Sequence, residues 1–401
     1  MKKIILVLLL QVLALNLWAH QPDAPARSWE FAEQDQHYLS EESKGIQTAN
    51  HATNKITFTS FSNYKNGWML IGILMLLFAV FKFIKRNQIV HFSYGALGLV
   101  LIFTACENST NQNAIVLDTK VPANKPDFLN SIFGVFDKVN TRHDDQYFYI
   151  ESDGLPEHEM MIGITNWQQQ VPIPHDYFGK NSWAIPMQPQ LVAHPLSTKE
   201  NFMKGAIAIA ANGIPIFNPL NNRGEDANAI GELDRWGGHC GRADDYHYHL
   251  PPTHLQSQVG EGKPIAYALD GFPVFGETTK PLDEYLGRFN ADSSYQYHAV
   301  KEYPYLIAAM RGKVAINPRT SAPENEISPQ AKTSGVRSAL RPLRGAAITD
   351  FKKIQSNQYQ LTYTLDNQTY TINYSWDDSG NYSFEFVKPD GTSEKSNFQR
   401  K

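Results

Sequence analysis

"GAIAIAANGIPIF", Gly205–Phe217, is an apolar run broken once, at Asn212–Gly213, and resumed around a proline. Runs of four to eight apolar residues closed off by Gly, Pro, Asn or Asp read as strands joined by tight turns rather than as long helices. "PIAYALDGFPVFG", Pro264–Gly276, carries the same x-Gly-x-Pro turn between apolar runs, and Asn-Gly and Asp-Gly are strong turn formers. "YFYIESDGLP", "EMMIGITNW" and "YPYLIAAMRG" are punctuated in the same way. Residues 128–317 are therefore expected to form a mainly β domain of short strands and tight turns. The 19 Tyr and 22 Phe of the 401 residues suit such a fold, because flat side chains pack on pleated surfaces.

Working outward, "PRTSAPENEISPQAKTSGVRSALRPLRG" (318–345) is low in apolar residues and reads as a linker. "YQLTYTLDNQTYTINYSWDDSGNYSFEFVKPDG" (359–391) alternates cleanly and predicts three strands joined by Asp-Asn and Asp-Ser-Gly turns, with Leu361, Tyr363 and Leu365 on one face. It sits in a C-terminal β-meander, 346–401, whose expected role is structural. On the other side, residues 106–127 are rich in Asn, Thr and Pro and read as a spacer.

The N-terminal quarter has the marks of an envelope protein. Lys2 and Lys3 precede an apolar run that ends near Ala19, the layout of a signal peptide over 1–19, although Leu17 is large for its cleavage site. The alternative is an uncleaved first anchor. Residues 20–66 are polar and define no core. "GWMLIGILMLLFAVFKFI" (67–84) and a second run over 89–105 are each about long enough to span a bilayer. Together they predict a two-helix transmembrane hairpin. The basic "KFIKRNQ" elbow between them belongs inside by the positive-inside rule, so everything after Cys106 is expected outside the cytoplasmic membrane of a bacterial cell envelope. "FTAC" behind an apolar stretch is also close to the signal of a lipid-modified cysteine, which makes Cys106 a lipidation candidate.

A formal net charge of -4 offers no basic excess for phosphates, so nucleic acid is not an expected partner. The two cysteines, Cys106 and Cys240, cannot make a disulfide framework.

The chemistry concentrates in "WGGHCGRADDYHYHL", Trp236–Leu250. With a side-chain period of two, His247 and His249 share one strand face while Tyr246 and Tyr248 share the other. Two adjacent imidazoles are a way to supply two nitrogen ligands to a first-row metal, and further ligands must converge on them. The candidates are His239 and His254 nearby, and His298 in "SSYQYHAV" (293–300), where the Tyr-x-Tyr-His pattern recurs with Gln296 in the place of His247. Two strands of one pattern would bring His298 opposite His247 and His249. Cys240 is a weaker candidate, since strand neighbours point to opposite faces and it cannot join His239 without a bend. Asp234, Asp244, Asp245 and Asp270 are candidates to hold a ligating imidazole through its distal nitrogen, while Asp244 and Asp245 equally suit the closing of a turn.

"GGHCGRADDYHYHLPPTHL", "PIAYALDGFPVFG" and "YQYHAVKEYPYLIAAMRGKV", in that order, closely resemble the YHYH domain family over roughly residues 147–314. The resemblance implies a secreted or membrane-anchored protein and sets domain limits. It implies no particular activity, since none is established for the family. Gln296 departs from the fuller histidine-bearing second motif of many members, which puts a ligand at that position in doubt.

Three functional readings follow. The first is a metal-binding extracytoplasmic protein using copper or zinc, with hydrolysis or redox chemistry through a metal-bound water as an extension. The second is a non-catalytic surface module binding carbohydrate or protein through loops bearing Trp167, Trp183 and Trp236. The third, a metal-free His–Asp hydrolase, ranks last because no Gly-x-Ser-x-Gly elbow is present and no serine stands near the cluster.

Overall fold

The computed structural model of the protein describes residues 121–400. The expected signal peptide, the 20–66 segment, both hydrophobic spans and Cys106 lie outside the described residues. Among those described, no helix is long and apolar enough to cross a membrane.

The first described element is a short helix, α1 (Pro126–Phe133), opened by a proline and buried through Leu129, Ile132 and Phe133. Strands β1 (Asn140–His143), β2 (Tyr147–Glu151) and β3 (Trp183–Pro186) form an antiparallel sheet in sequence order. Strand β4 (Leu191–Ser197) pairs with β13 (Ala309–Gly312).

Between them lies an eight-stranded mixed sheet. Its members are β5 (Ala206–Ala210), β6 (Pro215–Phe217), β7 (Gly238–Cys240), β8 (Tyr246–Tyr248), β9 (Ala266–Ala268), β10 (Pro273–Phe275), β11 (Gly287–Phe289) and β12 (Tyr295–His298). The spatial order is β11-β12-β10-β9-β5-β6-β8-β7. The quoted stretch makes the β5–β6 hairpin as its pattern predicts. All five residues of β5 are buried, which accounts for the unbroken apolar run: a strand covered on both faces has no polar side to show. Gly213 turns this hairpin at φ 76°, and a Cβ there would come within 2.9 Å of the Ser152 Cβ. Backbone conformation and space both demand glycine.

The C-terminal meander is wider than its alternation suggested. Five strands follow in order, β14 (Ala347–Gln355), β15 (Gln358–Leu365), β16 (Gln368–Trp376), β17 (Asn381–Val387) and β18 (Ser393–Gln399). The two outer strands carry mostly polar, exposed residues, so neither shows a hydrophobic alternation. Leu361 and Tyr363 are buried on one face of β15, as expected, together with Tyr359, and Leu365 is half-buried. Trp167 packs edge-on against Tyr363 at 5.1 Å.

Residues 318–345, expected as a linker, have almost no regular structure yet are pinned along their length. Asn325 accepts from the Phe202 N–H at 2.7 Å and donates to Asn201. Gln330 accepts from the Ala206 N–H at 2.9 Å. Arg337 grips Asp244 with two hydrogen bonds of 2.7 and 2.8 Å, both side chains being buried. The segment works as a strap across the domain. Polar anchors of this kind have no periodicity, and composition alone cannot reveal them.

The Arg337–Asp244 pair yields a stability prediction. Arg337→Met leaves a buried carboxylate without its counter-ion, which typically costs about 3–5 kcal/mol. Urea unfolding of the variant is expected to show that loss; a change under about 1 kcal/mol would mean the strap contributes little.

Candidate metal centre

The site is built by one tight hairpin. Gly238 pairs with Tyr248, His239 with His247, and Cys240 with Tyr246 across β7 and β8. Directly opposed residues project to the same face. His239 therefore joins His247, and His249, two residues on, completes the group. The carboxylate of Asp234 sets this register from beneath: it accepts from the N–H groups of Met161, Trp236 and Gly238 and from the Tyr246 hydroxyl.

The three imidazoles converge through their Nε2 atoms. His249 Nε2 lies 3.0 Å from His239 Nε2 and 3.2 Å from His247 Nε2. One ligand atom from each lies within 4.8 Å of the others. Ligands at about 2.0–2.1 Å from a tetrahedral ion stand roughly 3.3 Å apart, close to the two separations made by His249.

The distal nitrogens define the tautomers. His247 Nδ1 donates to the Asp245 carbonyl at 3.0 Å, and His249 Nδ1 donates to the Asn218 carbonyl at 2.5 Å. A neutral imidazole that donates from Nδ1 keeps its lone pair on Nε2. The lone pairs of His247 and His249 thus face the same small space.

Protonation cannot relieve the crowding cheaply. Burial, reinforced by the neighbouring histidines, holds His239 well below its ordinary range and His249 at about 3. Behind the cluster, the Asp245 carboxylate lies 3.4 Å from His247 Nδ1. Burial works to raise its pKa, but the hydrogen bond from His247, with His175 nearby, brings it below the usual range. This is the carboxylate–imidazole pairing that orients a metal-bound histidine. Phe217 stacks on the His247 ring at 4.0 Å and 16°, leaving it little room to rotate.

Of the candidates read from the sequence, His239, His247 and His249 come together and Asp245 supports them. His298 does not join. Four strands, β10, β9, β5 and β6, separate β12 from β8, and five strand spacings of about 4.8 Å come to roughly 24 Å. The repeated pattern marks equivalent positions in the sheet, not neighbouring ones. His298 instead donates from Nδ1 to the Gly276 carbonyl and accepts the Gln296 amide at 2.7 Å.

His254 is also elsewhere, on the tyrosine face of β8. Its Nε2 lies 3.5 Å from the Tyr248 hydroxyl and its ring packs against Trp236 and His158. His158, which no motif signalled, receives the Tyr248 hydroxyl at 2.6 Å. Cys240 points away from the triad, and burial pushes its thiol well above the ordinary range, so it stays protonated. Asp244 is consumed by Arg337 and by the Val171 N–H. Asp270 is consumed by Tyr297 and the N–H groups of Phe272 and Gly312. Asp234 serves the hairpin. Trp167 and Trp183 are buried and Trp236 is half-buried among the rings of His158 and His254, so the three tryptophans do not make an open binding face.

The sequence model of a family described as "YHYH protein" matches residues 182–305. The chain thus carries a YHYH domain, whose matched span lies inside the limits expected from the motifs. No curated protein matches the chain, and no solved structure does.

The depressed histidines make a prediction for pH. The unfolded chain takes protons near pH 6.5, whereas folded His249 refuses them to about 3 and His158 and His254, buried against their neighbours, to about 4. Stability of the metal-free protein is then complete above pH 7 and falls as pH drops below 6.5, because the unfolded state binds more protons in that window. Urea unfolding at pH 7.5, 6.0 and 5.0 in the presence of chelator checks this; equal stability at all three would contradict neutral burial of the histidines.

Proposed function

We propose that the YHYH domain of this chain binds one transition-metal ion, zinc or copper, through Nε2 of His239, His247 and His249, and does so outside the cytoplasmic membrane of a bacterial cell. The observation that carries the reading is the tautomer pattern. The Nδ1 atoms of buried His247 and His249 are spent on carbonyls on their far sides, which aims both Nε2 atoms at one point beside His239 Nε2. A hydrogen-bonded structural cluster would alternate donor and acceptor, whereas an ion uses converging lone pairs directly. Imidazole nitrogen suits zinc and copper, and an oxygen-seeking ion such as calcium gains nothing from it. Three protein ligands leave a fourth tetrahedral position open to water. The binding role is the one the geometry supports.

Titration of the full chain with zinc or copper is expected to show one equivalent and a rise in melting temperature, about 2.7 kcal/mol of added stability at one hundred times the dissociation constant. His247→Ala and His249→Ala should each lose more affinity than Asp245→Asn, whose cost is expected at about 10–100-fold, the usual value for an outer partner. A folded native protein that takes up neither metal would end this reading.

The extracytoplasmic placement rests on the basic N-terminus, the two apolar runs over 67–84 and 89–105 and the basic elbow between them. With this topology the full chain stays in the membrane fraction after carbonate extraction, and externally added protease reaches the C-terminal region in spheroplasts. Release by carbonate, or protection from the protease, would overturn it.

A further inference from the structure

The eight-stranded sheet reads the same from its centre outward in both directions. From β5 the order is β5, β6, β8, β7, and from β9 it is β9, β10, β12, β11. The central pair is antiparallel, with Ile209 opposite Tyr267 and Ala208 and Ala210 opposite Ala268 and Ala266. Adding 58 to Ala208, Ile209 and Ala210 gives Ala266, Tyr267 and Ala268, so a pseudo-twofold axis passes through the Ile209–Tyr267 pair. The hydrogen bonds flanking it obey the same rule: Ala211 N–H donates to the Ile265 carbonyl, and Leu269 N–H to that of Ile207.

The outer hairpins match at an offset of 49. Gly238↔Tyr248, His239↔His247 and Cys240↔Tyr246 correspond to Gly287↔Tyr297, Arg288↔Gln296 and Phe289↔Tyr295. Asp283 accepts from the Tyr285 and Gly287 N–H groups and the Tyr295 hydroxyl, as Asp234 does from Trp236, Gly238 and Tyr246. Even the left-handed residues correspond: Gly237 with Leu286, and Asp244 with Ser293. A leucine and a serine at positive φ carry a backbone cost, so the shared shape does not follow from local propensity.

We infer that the sheet is an internal duplication with two equivalent sites, and that the metal centre is present in only one. Arg288, Gln296 and His298 stand where His239, His247 and His249 stand, and His298 keeps the hydrogen bond from Nδ1 to the first residue after the neighbouring parallel strand, Gly276 for Asn218. A one-way relay takes the metal's place. Arg288 donates to Asn290, Asn290 to Gln296, Gln296 to His298 Nε2, and His298 to Gly276. The amide proton of Gln296 occupies the lone pair that an ion would use.

The supporting positions have changed together. Asn290 is the counterpart of Gly241, where a Cβ would lie 2.7 Å from Asp245 Oδ1 and 3.0 Å from the His247 ring. The Asp245 and His247 side chains thus fill the space that a side chain at 241 would take. In the other copy, Ser294 and Gln296 replace that aspartate and histidine, and both accept the Asn290 amide.

This inference rests on the metal reading of the first site, and zinc content separates the two. The full chain in detergent is dialysed against zinc chloride and zinc per chain is measured in four forms. The native chain should hold one, His247→Ala/His249→Ala none, Arg288→His/Asn290→Gly/Gln296→His two, and the combined variant one. One zinc in both the native chain and a cooperatively melting triple variant would overturn the equivalence and leave the metal reading intact. None in the native chain would overturn the metal reading first, and this inference with it. The reciprocal exchange, His239→Arg/Gly241→Asn/His247→Gln, should fold and hold no zinc; failure of both exchanges to fold would also overturn the equivalence.

Discussion

The site depends on one buried carboxylate. Asp234 gathers three backbone N–H groups and the Tyr246 hydroxyl, and in doing so closes the turn that starts β7 in register with β8. Shift that register by one residue and His239 would face the tyrosines instead of His247. Burial raises the Asp234 pKa, opposed by those same hydrogen bonds, so the carboxylate is tied to its turn by the cost of leaving it unsatisfied. The repetition of the device at Asp283, on the far side of the sheet, shows it as part of the fold itself rather than of one site.

On that frame the two faces of β8 do different work. The tyrosines, with His158, His254 and Trp236, make an aromatic layer whose hydroxyls are all spoken for. The histidines make a polar pocket in which the far nitrogens of His247 and His249 are satisfied by carbonyls while their near ones face His239. Burial of neutral imidazoles is costly when they must be protonated and useful when they must coordinate. The same desolvation that resists protonation of His249 keeps its lone pair available near neutrality.

Much of the fold was legible because it obeys short-range rules. The Asn-Gly and Asp-Gly turns, the apolar runs of β5 and β9 and the alternation of β15 follow from turn chemistry and strand period. The strap over 318–345 was not legible, since Asn325, Gln330 and Arg337 reach partners more than ninety residues away. Nor were β14 and β18, whose polar faces leave no pattern. At the site, the period of two placed His247 and His249 together but left the third partner open among His239, His254 and His298.

The sequence by itself determined a mainly β domain, the pairing of His247 with His249 and the recurrence of Tyr-x-Tyr-His, because each is a matter of neighbours along one strand or turn. Only the tertiary structure decided that His239 is the third member, that Asp245 stands behind His247, and that the recurrence marks two ends of a symmetric sheet. Those are questions of which strand lies beside which, and hydrogen-bonded register across the sheet answers them where spacing along the chain cannot.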